Sequence, residues 1–213
     1  MTCSLPHFRR GTTLVELLLF LAFFAVVGGT VVSILFATND QRMRQQTITS
    51  VERTGLQILQ SLQWRIEQAE RILDPPLGAS GAILALQMAS KEDDPMIVAS
   101  VSGALVMVLR ESQQVLTAND MSLSRLSVRN TSASAARPSI LIAFDLSKVY
   151  PLPAAGAREY TRRFEMLVSL FPEDNPSGND CGCVAPTCQS RVYRWQVCTE
   201  KTCSDAAITL PCS

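Results

Sequence analysis

Hydrophobic positions follow three successive rhythms along this chain, and each predicts a different kind of element. From Leu14 to Phe36 they are almost continuous, with one ionisable side chain, Glu16, near the start. About twenty such residues in a helix rise ~30 Å, the thickness of a bilayer's hydrocarbon core. From Gln41 to Leu73 there is no proline, and Ile48, Val51, Ile58, Leu59, Leu62, Ile66, Ala69, Ile72 and Leu73 recur at three- and four-residue steps. Gln57, Gln60, Gln63, Glu67 and Glu70 fill the other side, so the segment predicts an amphipathic helix lying on something apolar. Gly55 interrupts the stripe and Asp74-Pro75-Pro76 stops it. Unbroken from Thr12 to Leu73, such a helix would be about 90 Å long.

Beyond Pro76 the rhythm becomes that of strands. Ala82–Met88, Met96–Val101, Ala104–Arg110, Leu123–Val128, Ile140–Leu146, Phe164–Phe171 and Val192–Cys198 are short runs rich in Val, Ile and Leu. Turn formers bound them: Ser80-Gly81, Asp93-Asp94-Pro95, Ser102-Gly103 and Asn119-Asp120. Ser102-Gly103, between two apolar runs, is the best hairpin candidate. Asn130–Pro138 and Pro151–Ala157 have the composition of loops. The pattern predicts an α+β fold: a long N-terminal helix, first transmembrane and then an amphipathic spine, packed on a mainly antiparallel sheet.

The cysteines change the picture at the far end. Cys181, Cys183, Cys188, Cys198, Cys203 and Cys212 all fall in the last thirty-three residues; the seventh, Cys3, stands near the start. A segment with one strand-like run and little core of its own needs covalent staples, and six cysteines allow three disulfides in fifteen connectivities. Zinc is the rival reading, but paired C-x2-C knuckles are absent. Glu173, Asp174, Asn175 and Asp180 offer oxygens for Ca²⁺, yet their spacing is not that of an EF-hand, and a solvated acidic turn is the commoner outcome. The only histidine is His7, ahead of the apolar run. With no other imidazole, no G-x-S-x-G and no Gly-rich phosphate loop, no catalytic site, metal or cofactor is expected. Formal charge is zero, and no basic patch suggests nucleic acid.

The stretch Arg9-Arg10-Gly11-Thr12-Thr13-Leu14-Val15-Glu16 and the apolar run after it resemble the leader and first helix of the type IV pilin family, which includes the pseudopilins of type II secretion. The resemblance covers about thirty residues. It implies cleavage by a prepilin peptidase after Gly11, Thr12 as the new first residue and Glu16 at the family's fifth position. The family usually begins its mature chain with a methylated Phe, which is Thr12 here. It also often kinks the helix at a proline, which this segment lacks. The implied segments are 1–11 leader, 12–36 transmembrane, 37–74 amphipathic helix, 75–180 β-rich domain and 181–213 cysteine-rich tail. Without the leader, which holds Arg9 and Arg10 and no acid, the chain is net −2.

A carboxylate in a membrane segment costs at least ~2.5 kcal/mol at the helix centre, so it calls for a partner. In this family the amine created by cleavage is thought to meet the glutamate of a neighbouring subunit. Thr12 and Glu16 stand one turn apart on one helix face, which suits that role; the plainer reading is a glutamate snorkelling near a helix start. Gly28-Gly29 reads as a place for close helix packing more readily than as a point of flexure. The resemblance implies a structural subunit, a minor pilin or J-type pseudopilin, the latter suggested by Arg162-Arg163-Phe164-Glu165. Its partners would be the peptidase, other pilin or pseudopilin subunits and an inner-membrane assembly platform. Its place would be the bacterial inner membrane, single-pass with the C-terminal domain outside the cytoplasm. The alternatives are a single-pass anchored periplasmic binding domain that never polymerises and, for the N-terminus, an ordinary signal peptide. The latter fits poorly, because the apolar run exceeds a signal's 7–15 residues.

Overall fold

A computed structural model of the chain describes residues 14–134, 137–152, 156–171, 183–199 and 202–212. Helix α1 runs Leu14–Glu67. Fourteen strands follow: β1 Ala69–Asp74, β2 Ser80–Gly81, β3 Ile83–Met88, β4 Met96–Val101, β5 Ala104–Leu109, β6 Ser112–Val115, β7 Ser122–Asn130, β8 Ser139–Leu152, β9 Gly156–Ser169, β10 Thr187–Gln189, β11 Val192–Arg194, β12 Gln196–Thr199, β13 Thr202–Asp205 and β14 Leu210–Pro211. Internal contacts divide the chain into two units, Met1–Gln45 and Gln46–Ser213.

Within the second unit, residues 46–67 of α1 bury one stripe: Thr47, Val51, Gly55, Ile58, Leu62 and Ile66. The steps are four, four, three, four and four, the spacing of a single helix face. Two antiparallel sheets pack against it. One has the order β1-β3-β4-β5-β6, the other β2-β7-β8-β9. Their shared core joins Val51, Ile58, Leu62 and Ile66 of the helix to Leu84, Leu86, Met96, Val98, Leu105 and Met107 of the first sheet. Val128, Ile140, Ile142, Phe144, Phe164 and Val168 of the second complete it.

The first sheet is covered on its other face too. Ile83, Ala85, Ile97, Ala99, Val106 and Val108 alternate with the helix-facing residues and pack on Tyr193, Trp195, Val197 and Leu210 of the tail. Residues 83–88 are all buried, which is why that run reads as nearly continuous apolar sequence rather than as an alternation. The tail contributes two small sheets, β10-β11-β14 and β12-β13. It therefore has a core, borrowed from the sheet beneath it, where the sequence alone gave it almost none.

Three further corrections concern boundaries. The helix stops at Glu67, where the Gln68 N–H reaches the Arg65 carbonyl at 3.2 Å, and not at Asp74. Residues 69–74 instead form β1 against β3, with register shifts between Ala69 and Arg71 and between Ile72 and Asp74. Irregular pairing of this kind lets Ala69 and Ile72, three apart, serve the same core, so a strand imitated helical spacing. Of Pro151–Ala157, residues 151, 152, 156 and 157 are the ends of strands β8 and β9, paired as far as Leu152 with Gly156, and 153–155 lie outside the described residues. Val192–Cys198 is two strands that part at Trp195.

Ser102-Gly103 forms the expected hairpin, joining β4 to β5 with Val101 opposite Ala104. Both turn residues have positive φ, 51° and 79°, as a two-residue turn matched to strand twist requires. Gly55 has a different role. A Cβ there would lie 2.1 Å from the tip of the Phe164 ring. The residue that seemed to interrupt the helix stripe is the socket into which β9 inserts an aromatic ring.

Candidate functional site

The first candidate is the N-terminal part of α1. Leu14, Val15, Leu19, Phe20, Phe23, Phe24, Val26, Ile34, Leu35 and Phe36 are all more than 60% exposed, an apolar surface that water does not tolerate over such a length. The helix is long and apolar enough to cross a membrane. Its hydroxyls are satisfied within the helix: Thr30 Oγ1 donates to the Val27 carbonyl at 2.7 Å, Ser33 Oγ to Gly29 at 2.9 Å and Thr38 Oγ1 to Ile34 at 2.7 Å. Such back-bonding lets a polar side chain sit in hydrocarbon without an orphaned proton. Gly28 and Gly29 are helical, and among the described residues nothing lies within 4 Å of where their Cβ atoms would be.

Glu16 stands exposed in the first turn of this helix, where the backbone dipole favours an acid. Gly11 and Thr12 lie outside the described residues, as do Cys3, Cys181, Glu173, Asp174, Asn175 and Asp180. The pairing of Glu16 with a terminal amine therefore remains a matter of sequence position.

The second candidate is the stapled tail on the sheet. Cys183 is bonded to Cys203, and Cys188 to Cys212. Cys198 is disulfide-bonded as well. Two polar anchors join tail and sheet. The Tyr193 hydroxyl donates to Asp74 Oδ2 at 2.8 Å. Burial, reinforced by that hydrogen bond, pushes the phenol well above its ordinary pKa. The Trp195 indole N–H meets the Arg110 carbonyl at 3.4 Å, while the Arg110 guanidinium donates to Thr199 Oγ1 at 3.0 Å and to the Lys91 carbonyl at 3.3 Å. Arg110 has φ 55°, in the turn between β5 and β6. An open cleft of about 530 Å³ runs beside this contact, lined by Asp74, Ile83, Ser100, Ser102, Tyr193 and Pro211 among others.

Acidic groups collect near the end of α1, where Glu67, Glu70 and Asp93 line a cleft of about 400 Å³. Beside it, burial raises the Asp94 carboxyl even though its Oδ1 accepts the Met88 N–H at 2.9 Å, and Glu70 raises it further. Among the described residues no three His, Cys, Asp or Glu side chains converge as a metal site requires. Sequence reasoning missed Gly55 with Phe164, Tyr193 with Asp74, and Arg110. For the tail anchors a signal existed: Tyr193 and Trp195, two residues apart, are one face of a strand waiting for a surface.

Compared with protein-family models, with curated proteins and with solved structures, the chain matches none. What stands is a long apolar N-terminal helix, a β-sheet domain packed on its later turns, and a C-terminal layer bonded by disulfides.

Proposed function

We propose that this chain is a structural subunit of a membrane-rooted filament, a minor pilin or pseudopilin of a type IV pilus or a type II secretion pseudopilus. In this reading a prepilin peptidase cuts after Gly11, and the new amine of Thr12 meets Glu16 of an adjacent copy in the bilayer. The helix then packs laterally against pilin or pseudopilin partners delivered by an inner-membrane assembly platform. The observation that carries the reading is the exposed apolar surface of α1 with an acid in its first turn. Simple anchoring accounts for the apolar surface alone; a carboxylate five residues after a glycine, with an amine made available by cleavage, accounts for both. The β-domain and its oxidised tail then lie outside the cytoplasm, where disulfides persist, and the role is structural rather than catalytic.

Intact-mass measurement of the protein extracted from its native membrane tests this directly. The expected species lacks Met1–Gly11; a chain that begins at Met1 is instead the anchored, non-polymerising domain. Glu16→Gln separates the functions further. It should leave membrane insertion intact and abolish incorporation into filaments, and undiminished incorporation would refute the pairing.

A further inference from the structure

The cleft between the tail and the first sheet contains a charge that the fold does not answer. Its volume, about 530 Å³, suits a small molecule or a single side chain with the backbone that carries it. Among the described residues that line it, Asp74 is the one charged side chain. This acid is held firmly. It closes β1 opposite Ala85 of β3, and the carbonyl of the next residue, Pro75, accepts the buried Asn130 Nδ2 at 2.9 Å. The Tyr193 hydroxyl donates to Oδ2 at 2.8 Å. Tyr193 is itself buried, and its raised pKa keeps the phenol a donor. One carboxylate oxygen is therefore committed. The other, Oδ1, has no hydrogen-bond partner among the described residues and is not sealed from solvent.

The rest of the wall is uncharged. Ile83, Pro211 and the Cys188–Cys212 bridge supply apolar surface, and Ser100 and Ser102 add hydroxyls. An anion here meets repulsion, and a neutral apolar guest strips water from the carboxylate without replacing it. A cation on an apolar stem satisfies both the charge and the walls. The committed oxygen decides which cation. A guanidinium bonds a carboxylate best through two parallel N–H donors, one to each oxygen. With Oδ2 taken by Tyr193 that fork has no match. An ammonium is a point charge whose three donors can be divided between one oxygen and neighbouring hydroxyls. The cleft exceeds what an aminobutyl stem fills, which leaves room for the backbone bearing it.

We infer that this cleft is a binding site for a primary ammonium on an alkyl stem, the lysine side chain of a partner polypeptide, with Asp74 as its counter-ion. The site belongs wholly to the unit Gln46–Ser213. It goes beyond the filament reading and does not depend on how α1 is used.

Ligand-detected NMR on the full oxidised chain in a nonionic detergent tests it, with Nα-acetyl-lysine methylamide as the probe and its norleucine and arginine counterparts as controls. The lysine probe should bind about tenfold more tightly than norleucine, the worth of one charge-assisted hydrogen bond, and more tightly than arginine. Asp74→Asn, whose amide oxygen still accepts the Tyr193 hydroxyl, should erase the preference over norleucine. Tyr193→Phe, which frees Oδ2, should move the preference from lysine towards arginine. On the parent chain the lysine probe should slow hydrogen exchange in peptides covering 71–74 and 192–194 and leave β8 unchanged. Equal binding of lysine and norleucine, a preference that survives Asp74→Asn, or protection confined to other strands would each overturn the site. Arginine binding to the parent as tightly as lysine would overturn its assignment to an ammonium.

Discussion

The two faces of the five-stranded sheet are built from the same strands and held by different means. Toward the helix, Leu84, Leu86, Met96, Val98, Leu105 and Met107 meet long apolar side chains on a regular element. Toward the tail, Ile83, Ala85, Ile97, Ala99, Val106 and Val108 meet short irregular strands that rely on disulfides and two polar anchors. A regular helix presents its apolar stripe without assistance, because its backbone hydrogen bonds are internal. Thirty residues of tail cannot do this, and limiting their unfolded ensemble supplies what local structure does not.

The comparison can be broken first in the core that the helix-facing side shares with β9 of the second sheet. Phe164→Ala should destabilise the second unit by about 3–5 kcal/mol, because the ring is buried among helix and sheet residues and the helix offers no side chain at Gly55 to fill the void. Urea denaturation of the detergent-solubilised chain measures it. A smaller loss than that from opening a tail bridge would reverse the ranking of the two faces.

At the tail face, replacing Cys188 and Cys212 together by Ser should cost about 3.5 kcal/mol, the loop-closure figure for a bridge of sequence separation 24. The distinctive readout is location. Exchange should quicken in β10, β11 and β14 and on the tail-facing residues of β3 to β5, while α1 residues 46–67 remain protected. Loss of helix protection would show that the faces are not independent.

Gly55→Ala sharpens the helix side. Alanine gains ~1 kcal/mol of helix propensity over glycine, but its methyl collides with the Phe164 ring, at a cost of about 1–3 kcal/mol. The net effect should be destabilising by about 1 kcal/mol, and the same substitution in a Phe164→Leu background should be neutral or favourable. An additive double mutant would mean that ring and glycine do not form one unit.

The smallest effects are those of pH. Burial holds the Asp94 carboxyl above its ordinary 3.8, so folding takes up a proton there. That contribution is complete below 3.8 and is lost as pH rises through the folded-state value. Asp94→Asn, which keeps an acceptor for the Met88 N–H, should flatten the stability profile over this window and be slightly more stable than the parent at neutral pH. At the alkaline end Tyr193 should stay protonated in the folded protein beyond the ordinary phenol range near 10, so spectrophotometric titration against a Tyr193→Phe control should find this phenol silent until unfolding.

Much of this architecture was readable in the residues. The hairpin at Ser102-Gly103 and the runs of β3, β4 and β5 have local signals that tertiary contacts only reinforce. Other elements have none. Strand β6, Ser-Gln-Gln-Val, is exposed at every position, so nothing in its hydropathy marks it. The irregular pairing in β1 turned strand spacing into an imitation of helix spacing. The sixth sense of a two-sided sheet lay in plain view, since Ile83 to Leu86 are apolar at both parities, but what covers the second face is a question of long-range packing. In the N-terminal helix, length and hydropathy speak for themselves, whereas the proposed role of Glu16 depends on neighbours that one chain does not contain.

The empty position at Gly55 has a mechanical consequence. One turn away in either direction α1 carries Val51 and Leu59, so a slide of the second sheet by a single turn would drive the Phe164 ring onto a branched side chain. The ring sits as a key in a notched shaft and, with the Arg162–Glu52 and Lys148–Ser50 contacts beside it, fixes the register of the second sheet on the helix.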